Sequence, residues 1–304
     1  MILTERVASV EHRPLDDRLS VFRVDNRVGE SPLWDAARGC LWWIDVRAPE
    51  LLRLFPETAQ VSRWTLPEPI GALALRQDGR LLLALRRQAW LFDPACHALS
   101  AFAEVETDRP GNRLNDGKVS PGGRWWLVGS MDDSVADKQP RGALYRIDAQ
   151  GQVVRLHEGL TVANGLAWSR DGHRLYFSDS ASGQIWRAPW DEARGLMGAP
   201  VPFACSLEAD GRPDGALVDA QDDYLSAGVS AGCLNRFDAA GRRLGAVPLP
   251  CRAPTMPCHG GAGGQDLFIT SLQRPGWAPG GADGQLYRIA GFGGGLPAAL
   301  LQAG

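Results

Sequence analysis

The stretch NGLAWSRDGHRLYFSDS (residues 164–180) carries the pattern that decides the fold. It opens with a small-residue turn and a short apolar segment, turns again at Asp171 and Gly172, and ends in a second apolar segment. Asp-Gly pairs favour tight turns because glycine accepts a positive φ and aspartate bonds to nearby backbone amides. Two short apolar segments around such a turn predict a pair of antiparallel strands.

The same layout recurs along the chain. The other copies are ESPLWDAARGCLWWIDV (residues 30–46), GALALRQDGRLLLAL (71–85), NDGKVSPGGRWWLVGSM (115–131), PDGALVDAQDDYLSAGV (213–229) and PCHGGAGGQDLFITSL (257–272). Equivalent small residues near the six starts are 40 to 50 residues apart. A third apolar segment often follows a copy, as in ALYRIDAQG (residues 143–151). Each repeat therefore contains about four short strands.

A period in the mid-forties with about four strands per unit is typical of a propeller blade. The sequence predicts an all-β fold, a six-bladed β-propeller with four-stranded antiparallel blades. We expect LSVFRV (residues 19–24) to pair with the last blade and close the ring, which removes an open sheet edge. Residues 1–18 are expected to form a loose N-terminal extension and residues 19–304 a single propeller domain. Two domains are the alternative, but no linker-like stretch interrupts the repeat.

Composition limits the partners. The formal net charge of −3 offers neither a basic surface for nucleic acid nor a polybasic membrane anchor. No apolar run approaches the length of a membrane helix, and the charged N-terminus does not resemble a signal peptide. The six cysteines lack metal-site spacing, which favours free thiols in a reducing cytoplasm. The 30 arginines against two lysines are attributed to genome composition rather than to function.

Polar residues begin several of the innermost predicted strands, whose ends converge on the central channel of a propeller. These residues are Glu30, Asn115, Asp116, Asn164 and Asp214. Carboxylate and amide oxygens without thiolate or imidazole are the ligands preferred by calcium, magnesium and manganese. Two carboxylates crowded together repel each other, and a divalent cation relieves that conflict. The pattern indicates a metal site in the channel.

Each of these residues also has a purely structural interpretation. Asn-Gly and Asp-Gly dipeptides, as at Asn164 and Asp214, are common turns. Glu30 could simply be solvated. Residue by residue, the turn interpretation is the more frequent one. The metal interpretation rests on the shared position of these residues within the repeat.

Several motifs together resemble one known family. They are GESPLWD (residues 29–35), RLNDGKVSPGGRWWLVGSM (113–131), GALYRID (142–148), NGLAWSRDG (164–172), SDS (178–180) and PDG (213–215). They resemble the regucalcin/gluconolactonase family, also called SMP-30, which includes the luciferin-regenerating enzymes. The resemblance runs over about residues 27–296, with the motifs in the family's order. Together the motifs are specific, whereas any one alone would be weak.

The resemblance implies a six-bladed propeller that holds one divalent metal ion. The metal ligands would be Glu30, Asn164 and Asp214. Because oxygen ligands accept several ions, the metal could be Ca²⁺, Mn²⁺, Mg²⁺ or Zn²⁺. The resemblance assigns substrate binding to Arg113 and Asn115. A further acidic substrate ligand falls on Asp133, where animal members of the family carry Glu.

The family's commonest activity is the hydrolysis of sugar lactones. The chain is therefore expected to hydrolyse an aldonolactone, a small-molecule sugar lactone, to the aldonic acid by attack of water on a metal-polarised carbonyl. Asp214 is the candidate general base, since a carboxylate can take the proton of the attacking water. Two alternatives remain open: a hydrolase of another ester or phosphoester, and a non-catalytic calcium-binding propeller.

One segment departs from the family pattern. Near Pro257 the chain reads CHGG, where the family usually has an apolar residue or cysteine before F-G-G. His259, beside Cys258, could contact the substrate or fill space with a hydrogen bond to the backbone. The space-filling interpretation is favoured.

Overall fold

The structure is a computed structural model that describes residues 1–277 and 281–304. Its strands form six separate antiparallel sheets arranged as the blades of a ring. The predicted all-β, six-bladed propeller is confirmed. Helical structure in the described residues is limited to one short 3₁₀ turn, Ala262–Gly264. No helix in residues 1–277 or 281–304 has the length and apolar character needed to cross a membrane.

The strands follow one another with short connections. In the first half of the chain they are β1 (Glu5–Ser9), β2 (His12–Pro14), β3 (Leu19–Phe22), β4 (Gly29–Asp35), β5 (Cys40–Asp45), β6 (Glu50–Phe55), β7 (Gln60–Thr65), β8 (Ile70–Leu75), β9 (Leu81–Leu85), β10 (Gln88–Asp93), β11 (Ala98–Glu104), β12 (Asn112–Val119), β13 (Trp126–Asp132) and β14 (Gly142–Ile147). In the second half they are β15 (Val153–Leu160), β16 (Ala163–Trp168), β17 (Arg174–Asp179), β18 (Gln184–Asp191), β19 (Leu196–Met197), β20 (Val201–Cys205), β21 (Pro213–Val218), β22 (Tyr224–Gly228), β23 (Cys233–Phe237), β24 (Arg243–Pro248), β25 (Pro254–Gly260), β26 (Asp266–Ser271) and β27 (Leu286–Ile289).

Each blade takes consecutive strands from the channel outwards. Blade 1 runs from β4 to β7, blade 2 from β8 to β11, blade 3 from β12 to β15 and blade 5 from β21 to β24. Blade 4 contains β16, β17, β18 and β20, with β19 also paired to β18. The innermost strands β4, β8, β12, β16, β21 and β25 contact one another in that order, and β25 contacts β4. These six strands therefore surround the central channel.

The ring is closed by the N-terminal part of the chain. Blade 6 consists of β25, β26, β27, β3 and β2. Strand β3 pairs with β27, with Phe22 opposite Leu286 and Leu19 opposite Ile289. The expected closing strand is confirmed. The preceding residues are not loose, because β2 extends blade 6 beyond β3 and β1 pairs with the outer strand of blade 1. An unpaired outer strand leaves backbone N–H and C=O groups without hydrogen-bond partners, and these two strands pair with some of those groups.

Aromatic side chains pack between neighbouring blades. Trp42 stacks on Trp64 within blade 1, with ring centroids 5.6 Å apart. Trp64 meets Phe92 of blade 2 edge to face at 5.5 Å. All three side chains are buried. Large aromatic rings bury extensive apolar surface, so contacts of this kind hold adjacent blades in fixed positions.

The innermost strands share an irregularity near their beginnings. The pairing register shifts between Glu30 and Leu33, Ile70 and Ala72, Asn115 and Gly117, Asn164 and Ala167, Pro213 and Ala216, and Pro254 and Met256. At one of these bulges Gly165 has a φ of +68°, and a Cβ there would collide with Tyr224 and Ser178. Because a β-bulge changes the direction of a side chain, the repeated bulge places several side chains at one level of the channel.

The C-terminal segment crosses the other end of the channel. Gly295 forms a bridge with Asp219 after β21, and Leu301 forms one with Arg76 after β8. Leu301 is fully buried, and its amide donates to the carbonyl oxygen of Leu75 at 2.9 Å. The segment thus connects blades that lie apart in the ring, at the end opposite the bulges.

Candidate functional site

The three predicted metal ligands begin the innermost strands of blades 1, 4 and 5. Asn164 and Asp214 are only 4% and 7% exposed, and Glu30 is half-buried. Burial raises the pKa of Glu30 well above its usual range, and the negative charge of Asp214 raises it further. The two carboxyl groups, 184 positions apart by number, are therefore electrostatic neighbours within the channel.

The second carboxyl group of this pair has the same character. Burial raises the pKa of Asp214 well above its usual range, and the charge of Asp116 adds to the effect. The guanidinium of Arg113 opposes both shifts but does not cancel them. Ionised carboxylates in such a place lack sufficient positive charge nearby, and a bound cation would supply it.

The amide of Asn164 is held in one orientation. Its Nδ2 donates to Ser180 Oγ at 2.8 Å, and its Oδ1 accepts from Asn115 Nδ2 at 3.1 Å. A carbonyl oxygen has two lone pairs, so Oδ1 retains one after accepting this bond. Ser180 lies in the SDS motif but was not selected from the sequence as a functional residue.

These donors fit an oxygen-liganded cation. No group of three or more Asp, Glu, His or Cys side chains in residues 1–277 and 281–304 is placed to hold a metal ion. Glu30 and Asp214 supply two carboxylates, so a site that included both would take a further oxygen from an amide such as that of Asn164. Two carboxylates with one amide match the preference of calcium, magnesium or manganese.

Asp116 lies beside these residues but has other partners. Its Oδ1 accepts from the Gly117 amide at 2.7 Å, and its Oδ2 accepts from the Leu166 amide at 3.0 Å. Its φ is +52°, a conformation that aspartate tolerates better than most residues. The side chain joins blades 3 and 4 at the bulge. Asp116 is thus part of a bulge within β12 rather than of a turn between strands.

The three predicted substrate-binding residues form a connected group. Arg113 donates from Nη1 to Asn115 Oδ1 at 2.8 Å and from Nε to Asp133 Oδ1 at 3.2 Å. Burial lowers the pKa of Arg113 to about 10, which still leaves the guanidinium charged at neutral pH. The hydrogen bond from Asn115 to Asn164 connects this group to one of the candidate metal ligands.

Two further arginines reach the same carboxylate from other blades. Arg47 Nη2 lies 3.0 Å from Asp133 Oδ1, and Arg86 Nη1 lies 4.0 Å from Asp133 Oδ2. Both follow second strands, in the turns after β5 and β9. Sequence reasoning missed them because arginine is frequent throughout the chain and neither residue belongs to a motif.

A cavity of about 460 Å³ lies at the opposite end of the channel. His259 and Cys258 line it, together with Lys118 and Leu296. Burial lowers the pKa of His259, while backbone contacts with Gly264 and Asp266 act in the opposite direction. Mostly apolar side chains surround this cavity, unlike the carboxylate group at the bulges.

The chain is similar in sequence to known proteins. Residues 28–273 match the sequence profile of the SMP-30/Gluconolactonase/LRE-like region. The chain is 35% identical over 255 residues to 6-deoxy-6-sulfogluconolactonase of Pseudomonas putida, covering 83% of this chain and 85% of that protein. Regucalcin of Xenopus laevis is 30% identical over 249 residues, covering 81% of this chain and 83% of that protein.

A solved structure shows the same architecture. Regucalcin from Agrobacterium tumefaciens, described as a calcium-binding protein, superposes with a TM-score of 0.86 at 28% sequence identity. The superposition covers 96% of this chain and 98% of that chain. The similarity therefore extends over the whole ring of blades.

Proposed function

Because this chain belongs to the SMP-30/gluconolactonase/LRE-like family, we propose that it is a sugar lactonase that depends on one divalent cation. The reaction is the hydrolysis of an aldonolactone to the aldonic acid. The proposal is supported by the electrostatic proximity of Glu30 and Asp214, and by the hydrogen bonds that link Asn164 through Asn115 and Arg113 to Asp133. The name of the Pseudomonas relative supports a sugar lactone as the substrate.

The cation would be held by Glu30, Asn164 and Asp214. The description of the Agrobacterium regucalcin as calcium-binding supports a divalent ion as the cofactor. The same oxygen donors also accept Mn²⁺, Mg²⁺ and Zn²⁺. When bound, the cation supplies Lewis-acid polarisation of the lactone carbonyl.

Asp214 is proposed as the general base. Its carboxylate takes a proton from the attacking water while the water oxygen bonds to the carbonyl carbon. The bond between that carbon and the ring oxygen then breaks, and the ring oxygen leaves with a proton as a hydroxyl.

The group around Arg113 is proposed to bind the sugar. A guanidinium presents several donors in one plane, which suits hydroxyl and carbonyl oxygens. The bonds from Arg113 to Asn115 and Asp133 fix the orientation of all three side chains before a substrate arrives. A preorganised group of this kind loses little conformational entropy on binding.

One assay tests the proposal. Purified protein is stripped with EDTA, reloaded separately with Ca²⁺, Mn²⁺, Mg²⁺ or Zn²⁺, and assayed against pentono- and hexonolactones with a pH indicator. We expect stripped protein to be inactive and at least one reloaded form to release acid. Equal inactivity of all forms would contradict the proposal, and hydrolysis confined to other esters or phosphoesters would contradict it too. A protein that binds calcium without any hydrolysis would instead be a binding propeller.

A further inference from the structure

The side chain of Asp133 is surrounded by arginines from three blades. Arg113 of blade 3 lies 3.2 Å from it, Arg47 of blade 1 lies 3.0 Å from it, and Arg86 of blade 2 lies 4.0 Å from it. The carboxylate is 11% exposed. Lys138 lies nearby, and its pKa is lowered by burial and by the positive charge of Arg113. Even with Asp132 and Asp137, which line the same depression as Asp133, the cationic side chains there outnumber the carboxylates.

Arg47 and Arg86 have N–H groups that make no hydrogen bond within the described part of the chain. A guanidinium has five N–H donors, and one carboxylate cannot satisfy three guanidinium groups. Within the described part of the chain, the Arg47 side chain has no partner other than Asp133, and the Arg86 side chain makes only the 4.0 Å ion pair. By contrast, Arg155 on the outside of blade 3 bonds to Asp108, Glu158 and Tyr145.

The free donors face solvent at the mouth of the channel. The side chains of Arg47 and Arg86 are 46% and 40% exposed, whereas that of Arg113 is buried deeper. All three side chains approach Asp133. Hydrogen bonds then link Asp133 to Arg113, Arg113 to Asn115, and Asn115 to Asn164. A substrate whose carbonyl lies near Glu30 and Asp214 would extend its far end towards Arg47 and Arg86.

We propose that Arg47 and Arg86 form a subsite for an anionic group on the substrate. This inference rests on the proposed lactonase function and specifies its substrate class. The substrate is a sugar lactone that carries a carboxylate, sulfonate or phosphate at the end away from the lactone carbonyl. Arginine suits this role because its planar fork binds two oxygens of such a group at once. The surplus positive charge also attracts anions before contact.

The kinetic test compares lactones that differ only in charge. D-glucono-1,5-lactone is compared with its 6-phosphate and with the 6-deoxy-6-sulfo analogue at low ionic strength. We expect kcat/KM to be about tenfold or more higher for the charged lactones, mainly through KM, since hydrogen bonds to charged groups are among the stronger ones. In the double variant Arg47→Gln/Arg86→Gln, the ratio of kcat/KM for the charged lactones to kcat/KM for the uncharged lactone should fall about tenfold. A ratio near one in the wild type, or an unchanged ratio in the variant, would overturn the subsite.

A matched control removes the same charge elsewhere. Arg194 and Arg242 lie in turns of blades 4 and 5, at the end of the propeller away from Arg47 and Arg86. The double variant Arg194→Gln/Arg242→Gln therefore also removes two positive charges, but far from the proposed subsite. We expect this control to keep the wild-type ratio. An equal fall in both double variants would show a general charge effect and overturn the subsite.

A binding measurement separates this inference from the proposed function. Isothermal titration calorimetry compares gluconate with 6-phosphogluconate on metal-loaded wild type and on Arg47→Gln/Arg86→Gln. We expect 6-phosphogluconate to bind about tenfold more tightly to the wild type only. If that preference holds while no lactone is hydrolysed, the lactonase proposal fails and the subsite stands. If lactones are hydrolysed but neither rate nor binding depends on charge, the subsite fails and the lactonase proposal stands.

Discussion

Asn115 donates a hydrogen bond from Nδ2 to Oδ1 of Asn164 over 3.1 Å, although the two residues are 49 positions apart in the sequence. The bond joins the candidate substrate-binding group to the candidate metal ligands. Asn115 also accepts from Arg113, and Asn164 also donates to Ser180. A substitution in the substrate-binding group should therefore alter the orientation of Asn164, and a substitution beside Asn164 should alter that of Asn115.

Ser180 should position the amide of Asn164. Without the 2.8 Å bond to Ser180 Oγ, only the bond from Asn115 holds the amide of Asn164 in its orientation. We expect Ser180→Ala to weaken binding of the divalent ion by about 10- to 100-fold, the usual effect of losing a group that orients a ligand. Calorimetric titration of stripped protein measures this. The exposed Ser182→Ala is the control, and equal affinity in both variants would remove the role of Ser180.

Asp214 should be required for turnover. We expect Asp214→Asn to lower kcat by about 10²- to 10⁴-fold, because an amide cannot accept the proton of the attacking water. The rate is measured by pH-stat with saturating metal. Asp210→Asn, in a turn of the chain just before blade 5, is the matched control and should retain the wild-type rate. A wild-type rate in Asp214→Asn, with unchanged circular dichroism, would show that another group acts as base.

Stripped protein should lose stability as pH rises. Burial raises the pKa of both Glu30 and Asp214, so the folded state holds protons that the unfolded state has already released. The free energy of unfolding therefore falls as pH increases from the ordinary carboxyl range towards the raised values. We expect Tm to decrease between pH 5 and pH 8, and to decrease less in Glu30→Gln/Asp214→Asn.

Added metal should reverse that trend. Ionised carboxylates bind a cation more tightly than protonated ones, so Ca²⁺ or Mn²⁺ should raise Tm more at pH 8 than at pH 5. At a metal concentration about 100 times Kd the expected gain is about 2.7 kcal/mol. A gain that does not differ between wild type and Glu30→Gln/Asp214→Asn would be inconsistent with this site.

The repeat made the fold predictable from the sequence. Asp-Gly turns between short apolar segments gave the strands, and their spacing gave six blades. The N-terminal strands were missed for a physical reason. The segment containing β1 is mostly exposed and pairs with β7 through backbone bonds, which require no apolar pattern. Strand β3 was found because Val21 and Phe22 face the core.

The site was predictable only in part. Residues that share one position of the repeat, such as Glu30 and Asn164, could be placed together because the bulge recurs in every inner strand. Arg47 and Arg86 could not, since they lie in turns whose shape varies from blade to blade. His259 lies towards the far end of its inner strand, and sequence alone did not show which end of the channel it would reach.

A buried carboxyl group outside the site should matter for stability. Glu106 is fully buried and accepts hydrogen bonds from Ser130 at 2.8 Å, Tyr145 at 2.9 Å and Asn112 at 3.2 Å. We expect Glu106→Ala to lower the free energy of unfolding by about 2–4 kcal/mol, because several buried donors lose their acceptor. Urea unfolding measures this, with the exposed Glu104→Ala as a control expected within about 0.5 kcal/mol of wild type. Equal stability of the two variants would contradict the role of Glu106.

Anomalous diffraction from a crystal soaked in Mn²⁺ tests the central claim most directly. We expect one strong peak within coordination distance of Glu30, Asn164 and Asp214, and its loss in Glu30→Gln. A crystal of hydrolytically active protein with no peak there, or with its only peak elsewhere, would rule out this metal site.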